Sequence, residues 1–271
     1  MTTHISTNNK GTALITGAST GIGAVYADRL AKRGYDLVLV ARNQKRLDDL
    51  AANITKNTGR KVDIIVADLT QKADTLLVED RLRSDKTITA LVNNAGFGAT
   101  ATLHDSSIEE LESMIQLNVT ALTRLTHAAL PGLLQRAKGL IINISSIVAV
   151  APELLNGTYG GTKAYVVAFT QSLHHEVGGK GIQVQAVLPG ATETPFWDRA
   201  GHPVENLPAQ IVMSAEDMVD ASLAGLDQHE LITIPSLPNL ADWETFNSSR
   251  LNLGPNLSHK NPAARYNVAR Q

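Results

Sequence analysis

Residues 13–16 form a short aliphatic run that leads straight into Gly17, Gly21 and Gly23, and an amphipathic segment follows over 22–33. Three glycines at a strand-to-helix turn permit a tight bend and let the backbone approach a pyrophosphate closely. The helix start supplies free N–H groups and a favourable dipole for phosphates. A glycine-rich turn can also exist without a ligand. Its setting between a buried strand and a helix makes this one a dinucleotide site of an α/β fold. A P-loop would end in Gly-Lys-Ser/Thr, whereas this turn ends Gly21-Ile22-Gly23.

The rest of the chain repeats the same alternation. Aliphatic runs recur at 37–40, 62–66, 90–92, 140–144, 184–188 and 231–234. Each is mostly aliphatic and not alternating, the pattern of a strand buried on both faces of a parallel sheet. Helical patterns lie between them at 44–55, 75–84, 108–135, 157–178 and 215–226. Strand and helix in repetition predict a doubly wound α/β fold, with ligands at the carboxyl ends of the strands. No linker interrupts the pattern before about residue 235, so 1–271 reads as one domain with a C-terminal extension from about 236. In that extension Asn239 is placed to cap a short helix, with Leu240, Trp243, Phe246 and Leu251 on one face. A Pro- and Gly-containing irregular stretch follows it.

Composition removes several classes of function. With no cysteine there is no disulfide, thiolate metal site or cysteine nucleophile, and a reducing, cytoplasmic setting is expected. The net charge is −2 and no basic stripe appears, so no nucleic-acid partner is expected. Residues 1–10 are polar and unlike a signal peptide, and no apolar run is long enough for a membrane span. His174, His175 and Glu176 are adjacent but lack a ligand-spaced partner, so no metal site is expected.

The chemistry-bearing residues follow the aliphatic runs in order. Thr16 precedes the glycines, which are spaced Gly-x-x-x-Gly-x-Gly with Ser19 and Thr20 between them. Asp68-Leu69 follows the third run and Asn93-Asn94-Ala95-Gly96 the fourth. Ser146 follows the fifth, thirteen residues before Tyr159, with Lys163 four residues beyond that; Pro189-Gly190 follows the sixth, with Thr194 beyond. Over roughly residues 12–235 this series resembles the short-chain dehydrogenase/reductase family. The resemblance implies a Rossmann-type fold with a seven-stranded, mainly parallel sheet and helices on both faces. It implies a catalytic group of Asn118, Ser146, Tyr159 and Lys163. It also implies cofactor contacts at Gly17, Ser19, Thr20, Gly21, Ile22, Gly23, Asp68, Leu69, Asn94, Ala95, Gly96, Tyr159, Lys163, Pro189, Gly190, Thr192 and Thr194. The family commonly assembles as homodimers or homotetramers through the long helix over 108–135 and the helix carrying Tyr159.

Two features refine the expected activity. NAD enzymes usually carry Asp or Glu at the end of the second strand, where it binds the ribose 2′-OH. Here Ala41 holds that place and Arg42 follows, which favours the 2′-phosphate of NADP(H) over NAD. Tyr159 and Lys163 lie four apart in a helix, so an ammonium beside the phenol is expected to lower its pKa toward neutrality. The implied reaction is hydride transfer between NADP(H) and a carbonyl or secondary alcohol, with Tyr159 as general acid/base. Phe97, Ile147, Val148, Ala149, Phe196 and Trp197 form an apolar substrate lining. The alternative is a non-catalytic NADP(H) sensor or scaffold on the same fold.

Overall fold

A computed structural model describes residues 9–268, so most of the polar N-terminal stretch lies outside the described residues. The chain divides into two compact units, one ending at Pro235 and one beginning at Ser236.

The first unit holds seven strands: β1 (Thr12–Thr16), β2 (Asp36–Ala41), β3 (Val62–Val66), β4 (Ile88–Asn93), β5 (Gly139–Ile144), β6 (Ile182–Val187) and β7 (Ile232–Thr233). They form one sheet in the order β3-β2-β1-β4-β5-β6-β7, and every ladder is parallel. The helices are α1 (Gly21–Lys32), α2 (Gln44–Thr58), α3 (Lys72–Ser84), α4 (Ile108–Ile115), α5 (Leu122–Arg136), α6 (Gly157–Val177), α7 (Phe196–Arg199) and α8 (Ala215–Asp227). This is the doubly wound fold that the alternation predicts. The order reverses between β1 and β4, and the crevice at that point is where ligands bind in such sheets.

Each strand feeds two cores, because successive side chains point to opposite faces. Ala13, Ile15, Leu37, Leu39, Val92 and Ile142 pack with Tyr26 and Leu30 of α1, Leu47 of α2 and Met218 and Val219 of α8. Leu14, Val38, Val40, Leu91, Ile141 and Val184 pack with Val78 of α3, Leu125 and Leu133 of α5 and Leu173 of α6. Burial of each such aliphatic side chain contributes about 1.5–3 kcal/mol. β3 departs from the expectation of burial on both faces. It is the edge strand, half-buried along its length, and Val66 is 45% exposed.

The helix expected over 108–135 is three pieces. Between α4 and α5 the turn Gln116–Ala121 is π-helical, and it carries the buried Asn118. Such a bulge inserts one residue and turns side chains to a new angle, frequently at functional sites. Hydrophobic periodicity alone carries no mark of it.

A polar seam crosses the middle of the sheet. Asn93 and Asn143 are partners on β4 and β5. Asn93 Nδ2 donates to Asn143 Oδ1 at 2.9 Å and to Thr126 Oγ1 of α5 at 3.0 Å, and Asn143 Nδ2 donates to Thr170 Oγ1 of α6 at 3.0 Å. All four residues are buried, so each lost partner strands a desolvated group.

The second unit holds α9 (Leu240–Leu251), with the Trp243 and Phe246 rings 5.4 Å apart. Asn239 stands at its N-cap, but its side chain makes no capping bond, contrary to the role expected of it. Among the described residues no helix is long and apolar enough to cross a membrane.

The seam gives a stability prediction. Asn143→Leu keeps the volume and removes both bonds, so it should cost about 2–4 kcal/mol. Urea denaturation would read this as a lowered midpoint. A midpoint equal to that of the parent protein would show that the seam is not stabilising.

Candidate active site

The glycine turn is closed by β4. Thr16 Oγ1 accepts N–H bonds from Asn94 and Ala95, both at 3.0 Å. Asn94 Nδ2 donates to the carbonyls of Thr16 at 2.9 Å and Gly17 at 3.2 Å. Gly17 takes φ +65°, and a Cβ there would lie 2.8 Å from Asn94 Nδ2 and 2.9 Å from Ala95 Cα. Only glycine fits that backbone and that approach. The Asn94 side chain therefore holds the turn in shape. Ser19, Thr20 and Ile22 are half-buried around the start of α1, where Thr20 is the N-cap residue and makes no side-chain capping bond. The first amides of α1 are thus uncapped by Thr20, which suits a diphosphate.

The other expected cofactor residues ring this turn. Arg42 follows β2 with its side chain 63% exposed, and its Nη1 stands 3.9 Å from Asp68 Oδ2. Asp68 Oδ1 is fixed by Thr70, whose N–H and hydroxyl both donate to it, at 3.0 and 2.8 Å. Leu69 is buried beneath. Beyond β6, the Pro189 carbonyl accepts the Ile147 N–H at 3.0 Å. Gly190 accepts from the hydroxyl of the buried Thr192 at 3.2 Å, and a Cβ at Gly21 would lie 2.9 Å from the Thr194 methyl. The loops after β1 and β6 therefore meet across the strand ends. An uncapped helix start, a glycine turn and an exposed cation beyond β2 make a fitting cradle for a dinucleotide carrying a 2′-phosphate.

Tyr159, Lys163, Ser146 and Asn118 converge beside this cradle. Asn156 caps α6, its Oδ1 accepting the N–H of Thr158 at 2.9 Å and of Tyr159 at 3.3 Å. Its Nδ2 donates to the Ala101 carbonyl at 2.7 Å, so the same residue ties the start of α6 to the loop after β4. Ser145 Oγ donates to the Lys163 carbonyl at 2.8 Å, and Lys163 Nζ donates to the Ile144 carbonyl at 2.9 Å. Two bonds from the end of β5 thereby fix α6 over the sheet. The Ser146 hydroxyl donates to the Pro189 carbonyl at 3.5 Å and accepts the Val148 N–H at 3.4 Å, and its proximity to the Tyr159 phenol acts to lower the phenol's pKa. The Phe97 N–H donates to Asn118 Oδ1 at 3.1 Å, and Asn118 Nδ2 donates to the Phe97 carbonyl at 2.9 Å.

The electrostatics differ from the sequence expectation. Burial pushes the Tyr159 phenol well above its ordinary value, and the Ser146 hydroxyl only partly offsets that. Lys163 Nζ lies 5.7 Å from the Tyr159 ring centre, and burial lowers Lys163 itself to about 8. Desolvation therefore outweighs the attraction of phenolate for ammonium. Tyr159 holds its proton throughout the neutral range.

The apolar side of the site is built from Val148, Leu111 and Met114 with Phe97, Ala99, Leu155 and Phe196. The Phe196 ring lies 5.7 Å from that of Tyr159. Trp197 stands edge-on behind Phe196, anchored by its Nε1 to the Thr192 carbonyl at 3.0 Å. Gly98 makes this packing possible: a Cβ there would lie 2.7 Å from Phe196 Cζ and 3.0 Å from Tyr159 Cδ2. Thr100 completes the rim, its N–H and hydroxyl both donating to the Ala200 carbonyl, at 3.1 and 2.7 Å.

Sequence reasoning passed over Asn156, Thr162 and Gly98. Asn156 carries a readable signal, since an Asn just before a helix is a capping signature. Gly98 carries none, because its role depends on two distant rings. His174, His175 and Glu176 are exposed, and no metal-holding cluster occurs among the described residues.

A doubly wound sheet with a glycine turn and a Tyr-Lys pair at its carboxyl edge defines a class of dinucleotide-fold proteins, and comparison narrows it. The family model described as short chain dehydrogenase matches residues 11–204. A short-chain dehydrogenase from Sphingobium yanoikuyae, solved in complex with NADPH, is 47% identical with a TM-score of 0.91, covering 93% of this chain and 98% of that one. A bulky-bulky ketone specific alcohol dehydrogenase from Comamonas testosteroni is 44% identical with a TM-score of 0.88, covering 96% and 99%. A very-long-chain 3-oxoacyl-CoA reductase from Anas platyrhynchos is 38% identical over 184 residues, covering 65% of this chain and 58% of the relative's length. The chain belongs to the short-chain dehydrogenase/reductase family of oxidoreductases.

The buried ammonium makes a pH prediction. Burial lowers Lys163 from its ordinary 10.5 to about 8, so the native state holds fewer protons than the unfolded chain between those values. Native stability from this group rises with pH across that window, and below pH 8 the full penalty of charging it is present. Lys163→Met should therefore stabilise the fold at pH 6.5 by about 1–2 kcal/mol after the lost Ile144 bond is subtracted, read as a raised Tm. Its advantage should shrink as pH rises toward 10. A difference in Tm that is flat from pH 6.5 to 10 would contradict this.

Proposed function

We infer that the chain is an NADP(H)-dependent oxidoreductase that interconverts ketones or aldehydes and alcohols, with Tyr159 as general acid and base. The observation carrying this reading is the convergence of Tyr159, Ser146, Lys163 and Asn118 beside an uncapped helix start and glycine turn. The NADPH complex of the Sphingobium relative supports the choice of cofactor, and so do Ala41 and Arg42. The specificity of the Comamonas relative supports a ketone with bulky groups on both sides, which suits the lining of Phe97, Val148, Leu155 and Phe196. The non-catalytic sensor reading has no residue in its favour, because every member of the proposed catalytic group is present.

The uncapped amides of α1 and the glycine turn take the diphosphate, and Arg42 takes the 2′-phosphate through charge-assisted bonds. Pro189, Gly190, Thr192 and Thr194 border the nicotinamide, and Asp68 and Leu69 border the adenine. When bound, the cofactor supplies the hydride to the carbonyl carbon or, in reverse, accepts it from the alcohol.

Tyr159 gives its phenolic proton to the carbonyl oxygen as the new C–H bond forms. Its raised pKa keeps that proton available at neutral pH. The Ser146 hydroxyl, beside the phenol, donates to the same oxygen and steadies its developing charge. Lys163, with a pKa of about 8, stabilises the phenolate left behind and returns a proton to it. The burial of Tyr159, Ser146 and Lys163 keeps water from competing for the reacting oxygen. The lines of partnership that follow are a small-molecule substrate and a second copy of the chain, as a cytoplasmic homodimer or homotetramer.

Tyr159→Phe keeps the ring and removes the transferable proton, so turnover should fall by about 10² or more with NADPH binding retained. Parent-level reduction of an aryl alkyl ketone by this variant would overturn the acid/base assignment. Arg42→Ala should raise the KM for NADPH about ten- to a hundredfold and leave that for NADH nearly unchanged. Equal use of both cofactors by the parent protein would refute the assigned preference.

A further inference from the structure

Asn118 belongs to the proposed catalytic group, and its amide is gripped from two sides. One grip is the reciprocal pair with the Phe97 peptide. The other comes from α6: the remaining Nδ2 hydrogen goes to Thr162 Oγ1 at 3.0 Å. Thr162 lies between Tyr159 and Lys163 in sequence and is 4% exposed. Its hydroxyl donates its single hydrogen to the Tyr159 carbonyl at 2.8 Å. With that hydrogen committed, Thr162 presents only lone pairs to Asn118. It can accept from the amide nitrogen but can offer nothing to the amide oxygen. A reversed amide would set Oδ1 against those lone pairs and Nδ2 against the Phe97 N–H, losing all three bonds.

We propose that Thr162 is a positioning residue for catalysis, tying the helix of Tyr159 and Lys163 to Asn118 and fixing the π-helical turn against both. The inference rests on the reading of Tyr159 as general acid. Lys163 has separate supports, its Nζ on the Ile144 carbonyl and its own carbonyl on Ser145 Oγ. Losing the Thr162 hydroxyl therefore loosens Asn118 and leaves Lys163 in place. The effect should fall on turnover and spare cofactor binding.

The seam of the sheet offers a control of the same chemistry. Thr126 is buried, and its Oγ1 accepts a 3.0 Å bond from Asn93 Nδ2. Thr126→Val removes an equivalent Thr-to-Asn bond at a position outside the proposed catalytic group. The experiment compares Thr162→Val, Thr162→Ser and Thr126→Val in the full chain. It measures kcat for ketone reduction at saturating NADPH, the NADPH Kd by nicotinamide fluorescence, and Tm.

Thr162→Val should lower kcat by about tenfold or more, the consequence of a misplaced group in the transition state. Its NADPH Kd should stay within about twofold of the parent value. Thr162→Ser, which keeps the acceptor, should recover most of the turnover. Thr126→Val should lose comparable Tm while keeping kcat. An equal loss of kcat in Thr126→Val, or no recovery with Ser, would overturn the proposal. If Thr162→Val does not fold, Thr162→Ala carries the same expectation and the same refutation. An inactive Tyr159→Phe beside a fully active Thr162→Val sinks this inference alone, whereas a fully active Tyr159→Phe sinks the reading beneath it.

Discussion

A parallel sheet covered on both faces has no room for polar side chains along most of its strands. In β1 and β2 almost every position belongs to one of the two cores, so polar chemistry is displaced to the strand ends. The exceptions pair with each other, as Asn93 and Asn143 do with Thr126 and Thr170. This one restriction explains why residues far apart in sequence share one edge. Gly17 follows β1, Arg42 β2, Asp68 β3, Gly96 β4, Ser146 β5 and Gly190 β6. Parallel direction brings all six ends to the same side.

The site works against its own burial. A phenol and an ammonium are both taken out of water, and each is pushed toward neutrality. The protein retains them by anchoring the helix that bears them: Asn156 caps it, Ser145 holds the Lys163 carbonyl, and Ile144 holds the ammonium. Several of these anchors leave from the end of β5 or the loop after β4. The geometry of the acid is thus inherited from the sheet.

The sheet was legible in the sequence because its causes are local. A buried parallel strand is mostly aliphatic, and all seven runs became strands, including β7 with only two residues. The motif residues were legible for the same reason, each lying just after its run. What escaped depends on contacts between elements. The edge position of β3 follows from strand order, which no single segment records. The π-helical turn at Gln116–Ala121 reads as ordinary helix, because it keeps the apolar spacing on either side. The pKa of Tyr159 was misjudged because adjacency to Lys163 is visible in sequence and desolvation is not. That the Asn94 side chain also holds the glycine turn, through the Thr16 and Gly17 carbonyls, has no mark in the sequence.

Gly98 shows how such a pocket can change over generations. The space that a side chain would need there is filled by Phe196 and Tyr159. Tyr159 is not free to shrink without loss of the proposed chemistry, so position 196 is the neighbour that can yield. Substitutions at 98 and 196 are therefore coupled, and contacting pairs of this kind depart from additivity. Order then matters. A smaller residue at 196 opens room that a later side chain at 98 can fill, whereas the reverse order passes through a clash beside the phenol. Remodelling of the apolar wall is a path with a required first step, and its entry point lies in α7, on the rim, away from the sheet.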